Sequence, residues 1–396
     1  MTLANGRHYL AIPGPSVMPD RVLQAMHRAA PNIYRGELPD MVATIVPDLK
    51  AVAKTKHHVA MYICNGHGVW EASLMNCFSR GDKVLVLGTG RFGNGWGDLA
   101  KALGIDTHLL DFGNAADVDL ARVAEVLEAD TAHEIKGVLI VQVDTSTSVK
   151  NDVLGLRAAL DAAGHPALLL SDNIACLGCD EFHMDDWGVD VMITGSQKGL
   201  MTPPGMAFVY FNDKADAARE TADLVTPYWD WRMRVDPDYF YKYFFGTAPT
   251  HHLYGLRTAL DMIVHEEGLD AVWNRHKVLA ESIWAALEVW GQAGPIRANI
   301  TEREKRSNAV TLVNFGPGNG LKLRDWMEHS YGVTLGIPLE GVENPDDYLR
   351  IGHMGHVNGQ MVLGVLAGLQ AGMTALQIPH GPTGIEAAMR VVAEAT

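Results

Sequence analysis

The chain lacks a basic excess: 32 Lys and Arg residues stand against 47 Asp and Glu, for a formal charge of −15. A protein that grips a nucleic-acid backbone needs cations to replace the counterions it releases, so nucleic acid is not an expected partner. Cysteine is scarce, with Cys64, Cys77, Cys176 and Cys179 alone, three of them inside apolar runs where a free thiol behaves as a small hydrophobe. A disulfide framework is not expected. Cys176-Leu177-Gly178-Cys179 has the C-x-x-C form, but no second pair completes a zinc site, and no metal is assigned. No stretch reaches the roughly 18 apolar residues of a membrane helix, and residues 1–13 carry no basic start followed by a long apolar run. The expected setting is the cytoplasm, without a membrane partner.

What is present is a composition close to the globular mean, 47% hydrophobic and 20% charged. Its 396 residues suit a large α/β domain with a smaller companion. Short apolar runs rich in β-branched residues recur at 58–64, 83–88, 107–110, 137–143, 167–171, 189–194 and 206–211. Between them, 68–78, 95–103, 119–127 and 153–163 place apolar residues at helical spacing. Strands alternating with helices predict a mostly parallel sheet covered on both faces. After Tyr210 an aromatic stretch leads to a long helix near 268–290, and from Ser307 the order becomes strand, helix, strand, strand, helix. The expected division is an N-terminal arm (1–20), a large domain (21–290) and a small C-terminal α+β domain (291–396).

The chemistry concentrates where apolar strands run out. Leu168-Leu169-Leu170-Ser171 ends on Asp172, and the next strand leads into Gly195-Ser196-Gln197-Lys198-Gly199. Ligands of open α/β sheets lie beyond the carboxyl ends of the strands, so both charges point toward one crevice. A carboxylate there can pair with a protonated pyridine nitrogen and a lysine can form an imine, the two groups a pyridoxal cofactor takes from its protein. Alone, the pair reads equally as a chance Asp and a solvated Lys.

Ser196-Gln197-Lys198-Gly199 followed by Pro203-Pro204-Gly205 resembles the cofactor-lysine segment of class V aminotransferases, notably the alanine– and serine–glyoxylate enzymes. The resemblance spans most of the chain. It runs from Pro13-Gly14-Pro15-Ser16 through Gly66-His67-Gly68-Val69-Trp70-Glu71-Ala72, Asp144-Thr145-Ser146-Thr147 and Ser171-Asp172 to Leu349-Arg350-Ile351-Gly352-His353-Met354-Gly355. It implies the fold-type-I architecture of pyridoxal-phosphate enzymes and a homodimer with shared active sites. Lys198 then forms the Schiff base with pyridoxal 5′-phosphate, and Asp172 pairs with the ring nitrogen.

The same resemblance assigns the phosphate to Gly66, His67 and Gln197; a helix N-terminus following a Gly turn suits an anion, although an ordinary turn is the plain alternative. It stacks Phe92 on one face of the ring and Ile174 on the other, and sets Thr145 beside the phenolic oxygen. It gives Arg350 the substrate carboxylate, for which a planar guanidinium is suited. Thr247 matches the segment that reaches the partner subunit's phosphate. The chain departs at Phe244, where relatives often carry a tyrosine; Tyr243 is the candidate substitute, and absence of that bond is the alternative. Arg35 in Tyr34-Arg35-Gly36 is a candidate for a second substrate carboxylate, with dimer packing as the competing role. The implied reaction is ping-pong transfer from a small amino acid to a 2-oxo acid such as glyoxylate or pyruvate. The C-terminal third, with Gly384-Ile385-Glu386-Ala387-Ala388, is also similar to pyridoxamine–pyruvate aminotransferases. A lyase or desulfurase using the same cofactor is the alternative of another class.

Overall fold

The computed structural model describes residues 2–395. Its main element is a seven-stranded sheet in the spatial order His58–Tyr62, Ala207–Phe211, Val191–Gly195, Leu168–Asp172, Ile135–Val141, Lys83–Gly88, Asp106–Asp111. Ala207–Phe211 runs antiparallel to both its neighbours, and the other paired strands run parallel. All seven expected strands are there. Alternation along each strand feeds two separate cores. Leu85, Leu87, Val138, Ile140 and Leu169 enter one. Val84, Val86, Leu139, Val141, Leu168 and Leu170 enter the other. Both faces are apolar because both are covered, which is why the strands read as continuous hydrophobic runs.

Helix starts follow from capping. Asn65 accepts from Gly68 N–H at 3.3 Å, Asp119 from Ala121 N–H at 3.0 Å and Asp152 from Gly155 N–H at 2.8 Å. Two expected boundaries are corrected. The run 137–143 is not one strand: Ile135–Val141 belongs to the sheet, while Val143–Asp144 turns away and pairs with Val149–Lys150. The helix expected at 95–103 spans Arg91–Ala102, because a distant carboxylate caps it four residues earlier.

The C-terminal elements come in the expected order, Val310–Asn314, Asn319–Trp326, Val333–Leu335, Tyr348–Gly352 and Gly359–Ala375, with a further helix at Gly384–Glu394. Arg297–Ala298, Val310–Asn314 and Tyr348–Gly352 form an antiparallel three-stranded sheet. The second half of the helix Leu269–Gly291 packs into this core, where Ile283, Leu287 and Trp290 meet Phe315, Leu349 and Leu366. Tyr9–Ala11 pairs in parallel with Val333–Leu335. The N-terminal segment is therefore bound to C-terminal strands, and residues 12–16 run from there along the crevice.

Candidate active site

Five sheet strands deliver residues to one cavity of about 300 Å³ at their carboxyl ends, walled by Gly66, His67, Trp70, Phe92, Thr145, Asp172, Ile174, Gln197 and Lys198, with Gly14 and Pro15 opposite. Asp172 is the last residue of its strand, and Lys198 follows the end of the adjacent one at Gly195.

Asp172 is 3% exposed. Its Oδ2 accepts from Trp70 Nε1 at 2.6 Å and its Oδ1 from the Ile174 N–H at 2.8 Å. Burial pushes this carboxyl up to about 6, while the two donors pull it back toward the ionised form. Lys198 donates to the Pro13 carbonyl. Its ammonium is pushed down to about 8, first by burial and then by the charge of Arg350, with Asp172 opposing. The lysine can therefore lose its proton near neutral pH, as a nucleophile and base must.

Arg350 is buried behind Thr145. Its Nε donates to the Ile337 carbonyl at 2.7 Å and its Nη1 to the Thr145 carbonyl at 2.9 Å, so the guanidinium plane is set by backbone. Burial lowers it to about 10, still a cation at neutral pH.

Gly66 and His67 open the helix Gly66–Cys77, whose first N–H groups have no intrahelical partner. A Cβ on Gly66 would lie 2.5 Å from Ile174 Cδ1, so glycine is what lets this turn close on Ile174. The His67 ring meets Trp70 edge-on at 4.6 Å, and partial burial followed by the nearby Arg91 lowers its pKa. Gln197 Oε1 is buried without a hydrogen-bond partner, an unmet polar group at the cavity wall. Turned over, the same amide presents donors instead. Orphan amide donors, a buried carboxylate and a partly deprotonatable lysine around one cavity fit the phosphate, ring nitrogen and aldehyde of pyridoxal 5′-phosphate.

Phe92 sits in the first turn of its helix, edge-on to Trp70 at 6.3 Å between centroids. The buried Asp144 caps that turn, its Oδ2 accepting from Phe92 N–H at 2.8 Å and Gly93 N–H at 3.1 Å. Trp70 and Asp144 were not among the sequence candidates. Trp70 stands three residues after His67, one helical turn along, which puts it on the same face; Asp144 opens a four-residue motif whose second member is Thr145.

Arg350 meets the cavity only through the backbone of its wall residue Thr145, and three further candidates are not brought to it. Thr247 is exposed ahead of the helix Thr250–Leu260. Tyr243 packs at the edge of the core against Phe240 at 6.4 Å, with its carbonyl taking Arg234 Nη1 at 3.1 Å. Arg35 is exposed on a separate loop. As for the cysteines, burial raises Cys64 and Cys179 to about 12 and Cys77 and Cys176 well above the usual thiol range. None is an activated thiolate.

The family description "Aminotransferase class-V" matches residues 69–335. The chain belongs to the class V aminotransferase family. It is 37% identical over 375 residues to a serine–glyoxylate aminotransferase of Arabidopsis thaliana, covering 92% of this chain and 90% of that one. It is 34% identical over 372 residues to an L-aspartate–glyoxylate aminotransferase of Paracoccus denitrificans, covering 93% and 91%. Among solved structures, the pyridoxamine–pyruvate aminotransferase of Mesorhizobium loti superposes with a TM-score of 0.88 over 100% of both chains at 24% identity, a likeness of fold. The class V chain described here is thus a pyridoxal-phosphate-dependent aminotransferase of fold type I. Among the described residues, no helix is long and apolar enough to cross a membrane.

Proposed function

We propose that the enzyme moves an amino group from a small amino acid (serine, alanine or aspartate) to glyoxylate or pyruvate by a ping-pong cycle, as a cytoplasmic homodimer. The observation that carries this reading is the convergence of Asp172 and Lys198 on one cavity, with Arg350 bonded to the backbone of its wall residue Thr145. Pyridoxal 5′-phosphate, when bound, supplies the electron sink that makes an amino acid's α-proton acidic. Asp172, kept available by Trp70 and the Ile174 amide, holds the proton on the pyridine nitrogen. Lys198 would hold the cofactor through its amine and, with an ammonium lowered by burial, would serve as the general base and acid at the substrate α-carbon. Arg350 binds the carboxylate that amino donor and oxo-acid acceptor share, which is why one site serves both halves of the cycle. Gly66, His67 and Gln197 take the phosphate, Phe92 and Ile174 hold the ring plane, and Thr145 offers its hydroxyl to the phenolic oxygen.

Thr247 and Tyr243 do not line their own cavity and are assigned to the phosphate of the partner subunit; Arg35 is assigned to a second substrate carboxylate. The division at residues 1–20, 21–290 and 291–396 is part of the same proposal. The raised thiols argue against a desulfurase, which needs a cysteine nucleophile.

The test is a half-reaction. The visible absorption of the purified enzyme is followed while serine, alanine, aspartate or pyridoxamine is added alone, then glyoxylate or pyruvate. A change on the first addition that reverses on the second supports transamination of that pair. Steady product release without an acceptor marks a lyase and overturns the reading; a response to pyridoxamine alone overturns the amino-acid donor.

A further inference from the structure

Asp144 is fully buried, and among the described residues no Lys or Arg side chain forms a direct ion pair with it, although its charge favours the Arg350 cation. Four donors satisfy it: Phe92 N–H at 2.8 Å and Gly93 N–H at 3.1 Å on Oδ2, Ser146 N–H at 2.9 Å and Ser146 Oγ at 2.5 Å on Oδ1. Ser146 Oγ in turn accepts from Arg91 N–H at 2.9 Å. The carboxylate thus closes the N-terminus of the helix Arg91–Ala102, where an anion is favoured by the free amides and the helix dipole. The residue between these two anchors is Thr145, which lines the cavity and whose carbonyl takes Arg350 Nη1 at 2.9 Å. Gly90 completes the arrangement, since a Cβ there would lie 2.6 Å from the Asp144 carboxylate and from Ser146 Oγ.

We propose that Asp144 is a positioning residue that locks the ring-stacking Phe92 and the substrate-clamping Arg350 to a single frame. Its carboxylate holds the backbone of Phe92 on one side and the backbone that carries Thr145 on the other. The ring plane and the guanidinium therefore keep a fixed relation although they belong to a large-sheet helix and a C-terminal strand. Losing the carboxylate frees both at once. This rests on the roles given above to Phe92 and Arg350.

Asp144→Asn keeps the shape but sets an N–H₂ against N–H donors on one of its two sides. The KM for the oxo acid should rise about tenfold or more, the scale of small misplacements in a reacting site, together with a changed visible circular dichroism of the bound cofactor. Ser146→Ala, which removes the hydroxyl bonds to Asp144 and to Arg91 N–H but leaves the carboxylate on Phe92 and Gly93 N–H, should do the same to a smaller degree and guards against Asp144→Asn failing to fold. Asp119 caps the helix Leu120–Ala129 away from the cavity through Ala121 and Arg122 N–H. Asp119→Asn should lower thermal stability and leave KM and the dichroism as in the parent. If Asp144→Asn and Ser146→Ala behave like Asp119→Asn, with stability lost and both readouts intact, the proposal is wrong. Failure of the transaminase reading is distinct: it shows in the parent enzyme as no half-reaction, while the dichroism of the variants still reports on Phe92.

Discussion

Trp70→Phe isolates one hydrogen bond at the centre of the site. Trp70 Nε1 donates to Asp172 Oδ2 at 2.6 Å inside a fully buried environment, and the Ile174 amide is the carboxylate's other donor. Phenylalanine keeps most of the ring and removes that donor. A hydrogen bond to a charged group contributes on the order of 1.5–3 kcal/mol, and about 1.4 kcal/mol corresponds to one pH unit. The bond favours the ionised carboxylate, so its loss makes protonation easier. The acid limb of kcat/KM against pH, which reports the free enzyme, should move up by about 1–2 pH units. Turnover should fall at neutral pH and partly recover on the alkaline side. Trp96 supplies the control: it stacks on Trp70 at 6.3 Å, yet its indole N–H is buried without a partner, so Trp96→Phe removes a similar ring and no bond to Asp172. An acid limb that stays in place in Trp70→Phe, or shifts equally in Trp96→Phe, would refute the assignment.

Two further outcomes follow from Lys198. Its pKa in the folded chain is about 8, below the ordinary value near 10.4 in the unfolded one, so below pH 8 the folded state carries a disfavoured charge. As pH rises from 8 toward 10 the unfolded chain binds more protons and wild-type stability rises. Cofactor-free Lys198→Met should therefore be inactive yet more stable at pH 7, by about 1–3 kcal/mol, with the gap closing above pH 8. Denaturant titration at several pH values checks this; a gap that widens with pH would contradict it. Gly14→Ala should abolish turnover, because Gly14 has φ +93° and a Cβ would lie 2.6 Å from both Lys198 Cδ and Nζ. Phosphate binding at the far wall should persist, measured as competition by inorganic phosphate; full activity in this variant would contradict the crowding.

The sheet was legible because its strands are buried on both faces and leave unbroken apolar runs ended by Gly, Asp or Lys. Asp172 and Lys198 were legible for a related reason, since a charge at the end of such a run or within three residues of it lies beside the crevice. The helix at Arg91 was read four residues late because its cap is not local: Asp144 lies more than 50 residues away, and no neighbour of Gly90 announces it. Thr247, Tyr243 and Arg35 carry a different difficulty. Sequence resemblance assigns a role to a position but not to a chain, and in one chain these side chains do not reach the cavity.

The two residues that sequence reasoning passed over share a trait that explains the omission. Trp70 and Asp144 are judged by type as a core aromatic and a turn-forming acid, and by burial each fits that description. Their importance lies in polar atoms pointed at other site residues: one indole N–H on Asp172, one carboxylate spanning Phe92 and Ser146. Buried polar groups cost free energy unless satisfied, so a fully buried carboxylate without a direct ion pair must be held by several donors, and those donors are thereby fixed in turn. In this enzyme one of the donors is the backbone of the wall residue Phe92, and another, Ser146, directly follows the wall residue Thr145. On the proposed roles, Lys198 does the chemistry while Thr145, Phe92 and Arg350 set the angle at which substrate meets it, and Asp144 joins those three.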